Sequence, residues 1–166
     1  NYRDWSSDVC SSDLDLIEGF APLPHRCEHA GVIDGVVYVD DSKGTNVAAF
    51  VTAMTSLEGR KIVILGGRGK GEDYAPLAEA VQREAEAAVL LGEERDPIAR
   101  ALRRAGFSAI HEAGDMEEAV RIARKLARPG MTVLLSPACT SWDMYANYGQ
   151  RGDHFCGIVQ ALAAES

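Results

Sequence analysis

Short apolar runs recur along this chain, each followed by a stretch with helical spacing, and that alternation leaves few folds open to it. Val36-Val37-Tyr38-Val39, Lys61-Ile62-Val63-Ile64-Leu65, Ala87 to Leu91, Phe107 to His111 and Met131 to Leu135 are too short for helices and read as buried strands. Between them, Val47, Phe50, Val51, Met54 and Leu57 follow helical spacing behind a Thr45-Asn46 cap. Further helices are predicted from about Tyr74 to Glu86, with Pro76 tolerated in the first turn, from Asp96 to Ala105, and from an Asp115 cap to Leu126. A last helix is predicted to begin near Asp153, with Phe155, Ile158, Val159 and Leu162 on one face. Asp34-Gly35 is a two-residue hairpin signal joining a strand over 27–33 to the run that starts at Val36. The pattern predicts an α/β domain with a mostly parallel sheet and an N-terminal antiparallel hairpin.

The 166 residues suffice for one domain with a substantial core. Asn1 to Leu14 is polar, rich in Ser and Asp, and without period, so it reads as a disordered or non-native leader, with the domain over 15–166. No apolar run approaches the ~18 residues of a membrane span, and the start lacks the basic and apolar parts of a signal peptide. A cytoplasmic location is the default expectation, with no membrane partner. A net charge of −8 argues against general nucleic-acid binding, which needs a basic face. The four cysteines show no C-x-x-C spacing and read as reduced thiols, without a disulfide framework or a metal site.

Three strand ends carry unusual chemistry: Asp41-Ser42-Lys43-Gly44-Thr45-Asn46, Gly66 to Gly71, and Ser136-Pro137-Ala138-Cys139-Thr140-Ser141-Trp142. In a parallel sheet these ends share one edge, so residues distant in sequence converge there. Their lysines, hydroxyls and backbone N–H groups suit a small polyanion. The glycine loop fails the G-x-x-x-x-G-K-[ST] pattern, because Ile64 stands at the first glycine and Gly71 at the hydroxyl position. A tight turn that only glycine can make is an equal reading of that loop, and Lys70 is the reason to prefer an anion site. Asp41-Ser42-Lys43 reads equally as a polar turn and cap. Cys139 with His154 as base would make a thiol hydrolase, but a small half-buried residue at a strand end is the favoured reading. Trp142, Tyr145 and Tyr148 read either as a core cap or as a ligand wall. His25, His29 and His111 read as surface or packing residues, and Glu79, Glu84, Glu86, Glu93 and Glu94 as a solvated face.

Pro24-His25-Arg26, D-D-S-K-G-T-N at 40–46, L-G-G-R-G-K-G at 65–71, S-P-A-C-T-S-W-D at 136–143 and N-Y-G-Q-R-G at 147–152 occur in this order. Over residues 22–163 the chain resembles the C-terminal domain of the Mur ligase family, in the branch of UDP-N-acetylmuramoyl-L-alanine–D-glutamate ligases. The resemblance implies a Rossmann-like three-layer domain of an ATP-dependent amide ligase of peptidoglycan synthesis, working through an acyl phosphate with magnesium. In that family an N-terminal domain holds the UDP-sugar and a central domain holds ATP and Mg. Neither is in this chain, so the chain alone is expected to be inactive, with no catalytic residue of its own. Carried over by motif position, Thr45, Lys70, Ser141, Trp142 through its backbone, and Tyr148 would surround D-glutamate. Arg26, Asp41, Lys43 and Asn46 would lie on the nucleotide side. The resemblance further implies UDP-N-acetylmuramoyl-L-alanine as the partner substrate and a monomer. The alternatives left by the residues are a free-standing nucleotide- or anion-binding module and the Cys139 hydrolase.

Overall fold

A computed structural model describes residues 23–166; the expectations for the leader over 1–14 and for the domain start at 15 lie outside the described residues. The chain runs β1 (Glu28–Ile33), β2 (Val36–Asp40), α1 (Val47–Ser56), β3 (Lys61–Gly66), α2 (Ala75–Glu84) and β4 (Ala85–Leu91). It continues through α3 (Arg95–Arg104), β5 (Ile110–Glu112), α4 (Met116–Leu126), β6 (Thr132–Leu135) and α5 (Tyr148–Glu165). The six strands form one sheet in the order β1-β2-β6-β3-β4-β5. Only the β1–β2 pair is antiparallel. Its turn places Asp34 at φ 52° and Gly35 at φ 77°. Two left-handed residues in sequence match the right-handed twist of a hairpin, which is why Asp-Gly is favoured there.

The sheet is covered on both faces, which explains the unbroken apolar runs. Val63, Leu65, Leu90 and Leu134 face one core with Phe50 of α1, Leu77 and Val81 of α2, and Ile98 and Leu102 of α3. Their strand neighbours Ile62, Ile64, Val89 and Leu135 face the other core with Met116 and Val120 of α4 and Phe155 and Val159 of α5. The three-layer expectation is met. The helices after β2 and β3 lie on one face, whereas the helix after β6, the strand between them, lies on the other. Such a reversal opens a crevice at the carboxyl ends of the strands.

Three boundaries differ from the sequence expectation. α2 stops at Glu84, and the alanine-rich stretch from Ala85 joins the ladder beside β3, because pairing of Ala85 with Lys61 and Ala87 with Ile62 outweighs alanine's helical preference. Phe107 is not in a strand. Its N–H donates to the Leu102 carbonyl at 2.9 Å and that of Gly106 to Arg103 at 3.0 Å, closing α3 with a Schellman motif whose glycine sits at φ 85°. α5 begins at Tyr148, five residues before the expected start near Asp153. Asn147 Oδ1 accepts from the Gln150 N–H at 2.8 Å, and the Gln150 side chain accepts from Ala146 N–H at 2.8 Å. This reciprocal cap offsets the low propensity of Gly149 and Gly152 in the first turns.

Candidate functional site

The end of β2 is built on two buried carboxylates. Asp40 accepts from the Ser42 N–H at 2.9 Å through Oδ1, while its Oδ2 lies 2.6 Å from His25 Nδ1 and 3.4 Å from Cys156 Sγ. Asp41 accepts from Ser136 Oγ at 2.7 Å and from the Cys27 N–H at 3.2 Å. Burial raises the Asp41 pKa above the ordinary carboxylate value, and the bonds from Ser136 and Cys27 pull it back in part. The Ser136–Asp41 bond ties the first residue after β6 to the first residue after β2. His25 is thus an anchor for Asp40 in addition to a packing residue.

The other loops are joined as firmly. Arg68 and Thr140 exchange backbone hydrogen bonds at 2.9 and 3.0 Å, and the Gly66 N–H donates to the Pro137 carbonyl at 3.0 Å. The glycine loop and the serine-rich loop therefore run side by side. Glu72 closes the circuit by accepting from the Val47 N–H at 3.3 Å, at the start of α1. The expected convergence of the three strand ends is present.

Within this frame, Thr45 is half-buried just before α1 and Lys70 is exposed. Among the described residues, no hydrogen bond or ion pair holds the Lys70 ammonium. Ser141 is buried, and its carbonyl accepts from the Met144 and Tyr145 N–H groups. Trp142 is 63% exposed, so its indole is not packed into the core. Tyr148 opens α5 with its hydroxyl 3.1 Å from Lys43 Nζ, and the ammonium lies 4.6 Å from the ring centroid. This contact joins the two expected residue sets. Arg26, Asp41 and Lys43 line one cleft of about 240 Å³. Asn46 does not line it; its side chain caps α1 by accepting from the Ala49 N–H at 2.8 Å.

The cleft offers a carboxylate and two cations, a donor set that fits the ribose and phosphate edge of a nucleotide. At that volume it is smaller than the ~300–1,000 Å³ of a complete small-molecule site, so it has no room to enclose a whole nucleotide. Glu28, Asp40 and Cys156 have ligand atoms within 4.8 Å of one another. A sulfur donor is unsuited to magnesium, and Asp40 is already committed to His25 and Ser42.

Sequence reasoning missed Arg151. It is 3% exposed, and its guanidinium donates to Ser42 Oγ at 2.9 Å, to the Ser42 carbonyl at 2.7 Å and to the Cys139 carbonyl at 3.1 Å. Ser42 Oγ in turn donates to the Tyr148 carbonyl at 2.7 Å. One side chain on α5 thereby clamps the loops after β2 and β6. Burial lowers its pKa to about 10, with Cys139 and Asp143 opposing. Asn147-x-x-Gln150 carried the signal, since a helix starting there turns Arg151 inward.

The favoured reading of Cys139 holds, and one other expectation is corrected in part. Cys139 is 1% exposed, and burial pushes its thiol up to about 11. Its neighbour is the Tyr74 hydroxyl at 3.6 Å, while His154 Nδ1 bonds the Tyr145 hydroxyl at 2.7 Å. With no base beside it and no access, Cys139 is not a nucleophile. The acidic residues are only in part a solvated face: Glu79 and Glu93 are exposed, whereas Glu84, Glu86 and Glu94 are half-buried. Glu84 pairs with buried Lys61, Glu86 with Arg60 and Arg128, and Glu93 with Arg68, while Glu94 accepts from the Tyr74 hydroxyl.

A family model described as "Mur ligase, glutamate ligase domain" matches residues 25–139. The chain belongs to that family. It is 48% identical over 153 residues to the UDP-N-acetylmuramoylalanine–D-glutamate ligase of Marinobacter nauticus, a match covering 90% of this chain and 34% of that protein. It is 49% identical over 144 residues to the protein of the same name from Polaromonas sp., covering 86% and 24%. The chain thus spans about a third or less of the curated relatives it matches. Among solved structures it resembles UDP-N-acetylmuramate-alanine ligase from Thermotoga maritima, with a TM-score of 0.61 and 14% identity over 96% of this chain and 35% of that one. It also resembles Mycobacterium tuberculosis folylpolyglutamate synthase complexed with ADP, with a TM-score of 0.62 and 16% identity over 81% and 33%. At these identities the likeness concerns the fold. The relatives favour the ligase reading over a free-standing module.

Proposed function

We propose that this chain is the amino-acid-binding C-terminal domain of an ATP-dependent ligase that joins D-glutamate to UDP-N-acetylmuramoyl-L-alanine in peptidoglycan synthesis. The observation that supports the reading is the hydrogen-bonded joining of the three strand-end loops that carry Thr45, Lys70 and Ser141, with the Lys70 ammonium left unpaired among the described residues. D-Glutamate has two carboxylates, and a lysine with hydroxyl and amide donors binds such groups through charge-assisted hydrogen bonds. In this reading Lys70, Thr45, Ser141 and the Trp142 N–H hold the carboxylates, with Tyr148 at the rim. The amine stays neutral and free to attack, because the donors gather at the carboxylate end. ATP with magnesium, bound mainly by a central domain outside this chain, supplies the phosphoryl group that activates the acceptor carboxylate. Arg26, Asp41 and Lys43 meet the nucleotide edge, and the Lys43–Tyr148 contact keeps that edge in register with the amino acid. The domain's contribution is orientation of the nucleophile. The reaction is placed in the cytoplasm and on a monomer, without nucleic acid.

The chain alone is expected to neither hydrolyse ATP nor ligate, since it has no phosphate loop. The deciding test is Lys70→Ala in the full-length ligase. Loss of one hydrogen bond to a charged group is worth ~1.5–3 kcal/mol, so the KM for D-glutamate should rise roughly 10- to 150-fold with the KM for ATP unchanged. An unaltered KM and kcat for D-glutamate would remove Lys70 from the site, and product from the purified chain alone would overturn the division of labour.

A further inference from the structure

A cavity of about 480 Å³ lies between α2 and α3 and is lined by none of the residues assigned above to D-glutamate or the nucleotide. Tyr74, Ala78, Pro97 and Ala101 supply apolar parts of its wall. Its two ends differ in charge. Glu72 and Asp73 precede α2 and Glu94 precedes α3, so all three carboxylates stand where the helices begin. Arg100 and Arg104 also line the cavity, one and two turns further along α3. They sit at i and i+4, hence on one face of the helix. Both are exposed. Among the described residues, neither guanidinium forms a hydrogen bond or ion pair, in contrast to Arg60, Arg68, Arg121, Arg124 and Arg128, each of which is paired.

An end bearing three carboxylates repels a simple anion, and an end bearing two guanidiniums repels a simple cation. A molecule with a cation at one end and a carboxylate at the other satisfies both. The spacing sets its length. Along α3, Glu94 and Arg100 are separated by roughly 9 Å and Glu94 and Arg104 by roughly 15 Å at 1.5 Å per residue. An extended peptide of three residues spans about 10 Å. The cavity volume falls within the ~300–1,000 Å³ of ordinary small-molecule sites.

We propose that the α2–α3 cavity is a second ligand site, for a short peptide with free termini, its carboxylate held by Arg100 and Arg104 and its ammonium facing Glu94, Asp73 and Glu72. Two guanidiniums on one helix face grip a carboxylate through paired, charge-assisted bonds. The apolar wall takes small side chains. The acids already serve the fold: Asp73 accepts from the Ala75 N–H at 3.0 Å, Glu72 from Val47 and Glu94 from Tyr74. Each carboxylate keeps lone pairs free for a second donor. The site is therefore formed before the ligand arrives.

The test is an NMR titration of this isotope-labelled chain with trialanine, N-acetyl-trialanine and trialanine amide. Trialanine should shift the amides over 72–78 and 94–105 in a saturable way, and each blocked peptide should bind at least tenfold more weakly. The double substitution Arg100→Gln and Arg104→Gln should weaken trialanine at least tenfold while leaving the spectrum elsewhere unchanged. Absence of saturable shifts over those residues would overturn the site. Equal binding of a blocked peptide, or of trialanine by the double variant, would overturn the recognition of both ends.

Discussion

Arg151 is the residue on which the geometry of the candidate site most depends, and its removal has a calculable cost. Arg151→Ala deletes three hydrogen bonds from a buried cation and strands two carbonyls, those of Ser42 and Cys139, together with the Ser42 hydroxyl. A buried acceptor left without a partner costs roughly 1–3 kcal/mol. Some of this is returned because the guanidinium no longer has to be desolvated, the same burial that draws its pKa down to about 10. Water entering the space left behind recovers a further part. A net loss of about 3–4 kcal/mol is expected, a large fraction of the ~5–15 kcal/mol that holds a domain together. Arg151→Lys keeps the charge but not the planar fork, so it reaches one acceptor at most and should recover less than half of the loss. Ser42→Ala removes one acceptor of Arg151 and the donor to the Tyr148 carbonyl, while the Ser42 and Cys139 carbonyls stay bonded, for a loss of about 1–2 kcal/mol. Urea unfolding of this chain, followed by circular dichroism, gives all three values. A loss below ~1 kcal/mol for Arg151→Ala, or full recovery with lysine, would refute the clamp.

Two further outcomes follow from the buried groups. Asp41 has its folded pKa raised, so the folded state holds the proton more tightly than the unfolded one. Stability contributed by protonation is therefore present below the unfolded value of ~3.9 and is lost as pH rises through the higher folded value. Asp41→Asn should flatten that part of the curve, and thermal unfolding across the mildly acidic range would show it; parallel curves for the two proteins would contradict the assignment. Cys139, with its thiol pushed up to about 11 and its side chain buried, should react with iodoacetamide roughly a hundredfold or more slowly than a free thiol of pKa ~8.5. Site-resolved mass spectrometry on the folded chain measures this, and prompt alkylation would revive its candidacy as a nucleophile.

The candidate site was legible in outline because its chemistry sits in loops whose positions follow from topology. Lys70, Thr45 and Ser141 fall at strand ends, and strands of a parallel sheet end on one edge. What could not be read from the motifs was which groups the loops use up in holding themselves together. Asp41 binds Ser136 across the sheet, and Glu72 sits on the start of α1. Each pairing joins segments far apart in sequence. The half-buried Glu84 and Glu86 were misjudged for the same reason, since the cations that pair with them come from other elements.

The sequence by itself determined the α/β class, the hairpin at Asp34-Gly35, the glycine-bearing turns and the order of the elements. These depend on local spacing, on turn geometry and on the length of apolar runs, all of which are written within a few residues. Tertiary structure decided where α2 yields to β4, where α5 starts, and which charged groups are buried. At Ala85 a sheet ladder competes with helix propensity, and the neighbouring strand settles the contest. At Arg151 a cation to which the motifs assigned no role becomes the centre of a buried network, because the loops after β2 and β6 bring their carbonyls to it.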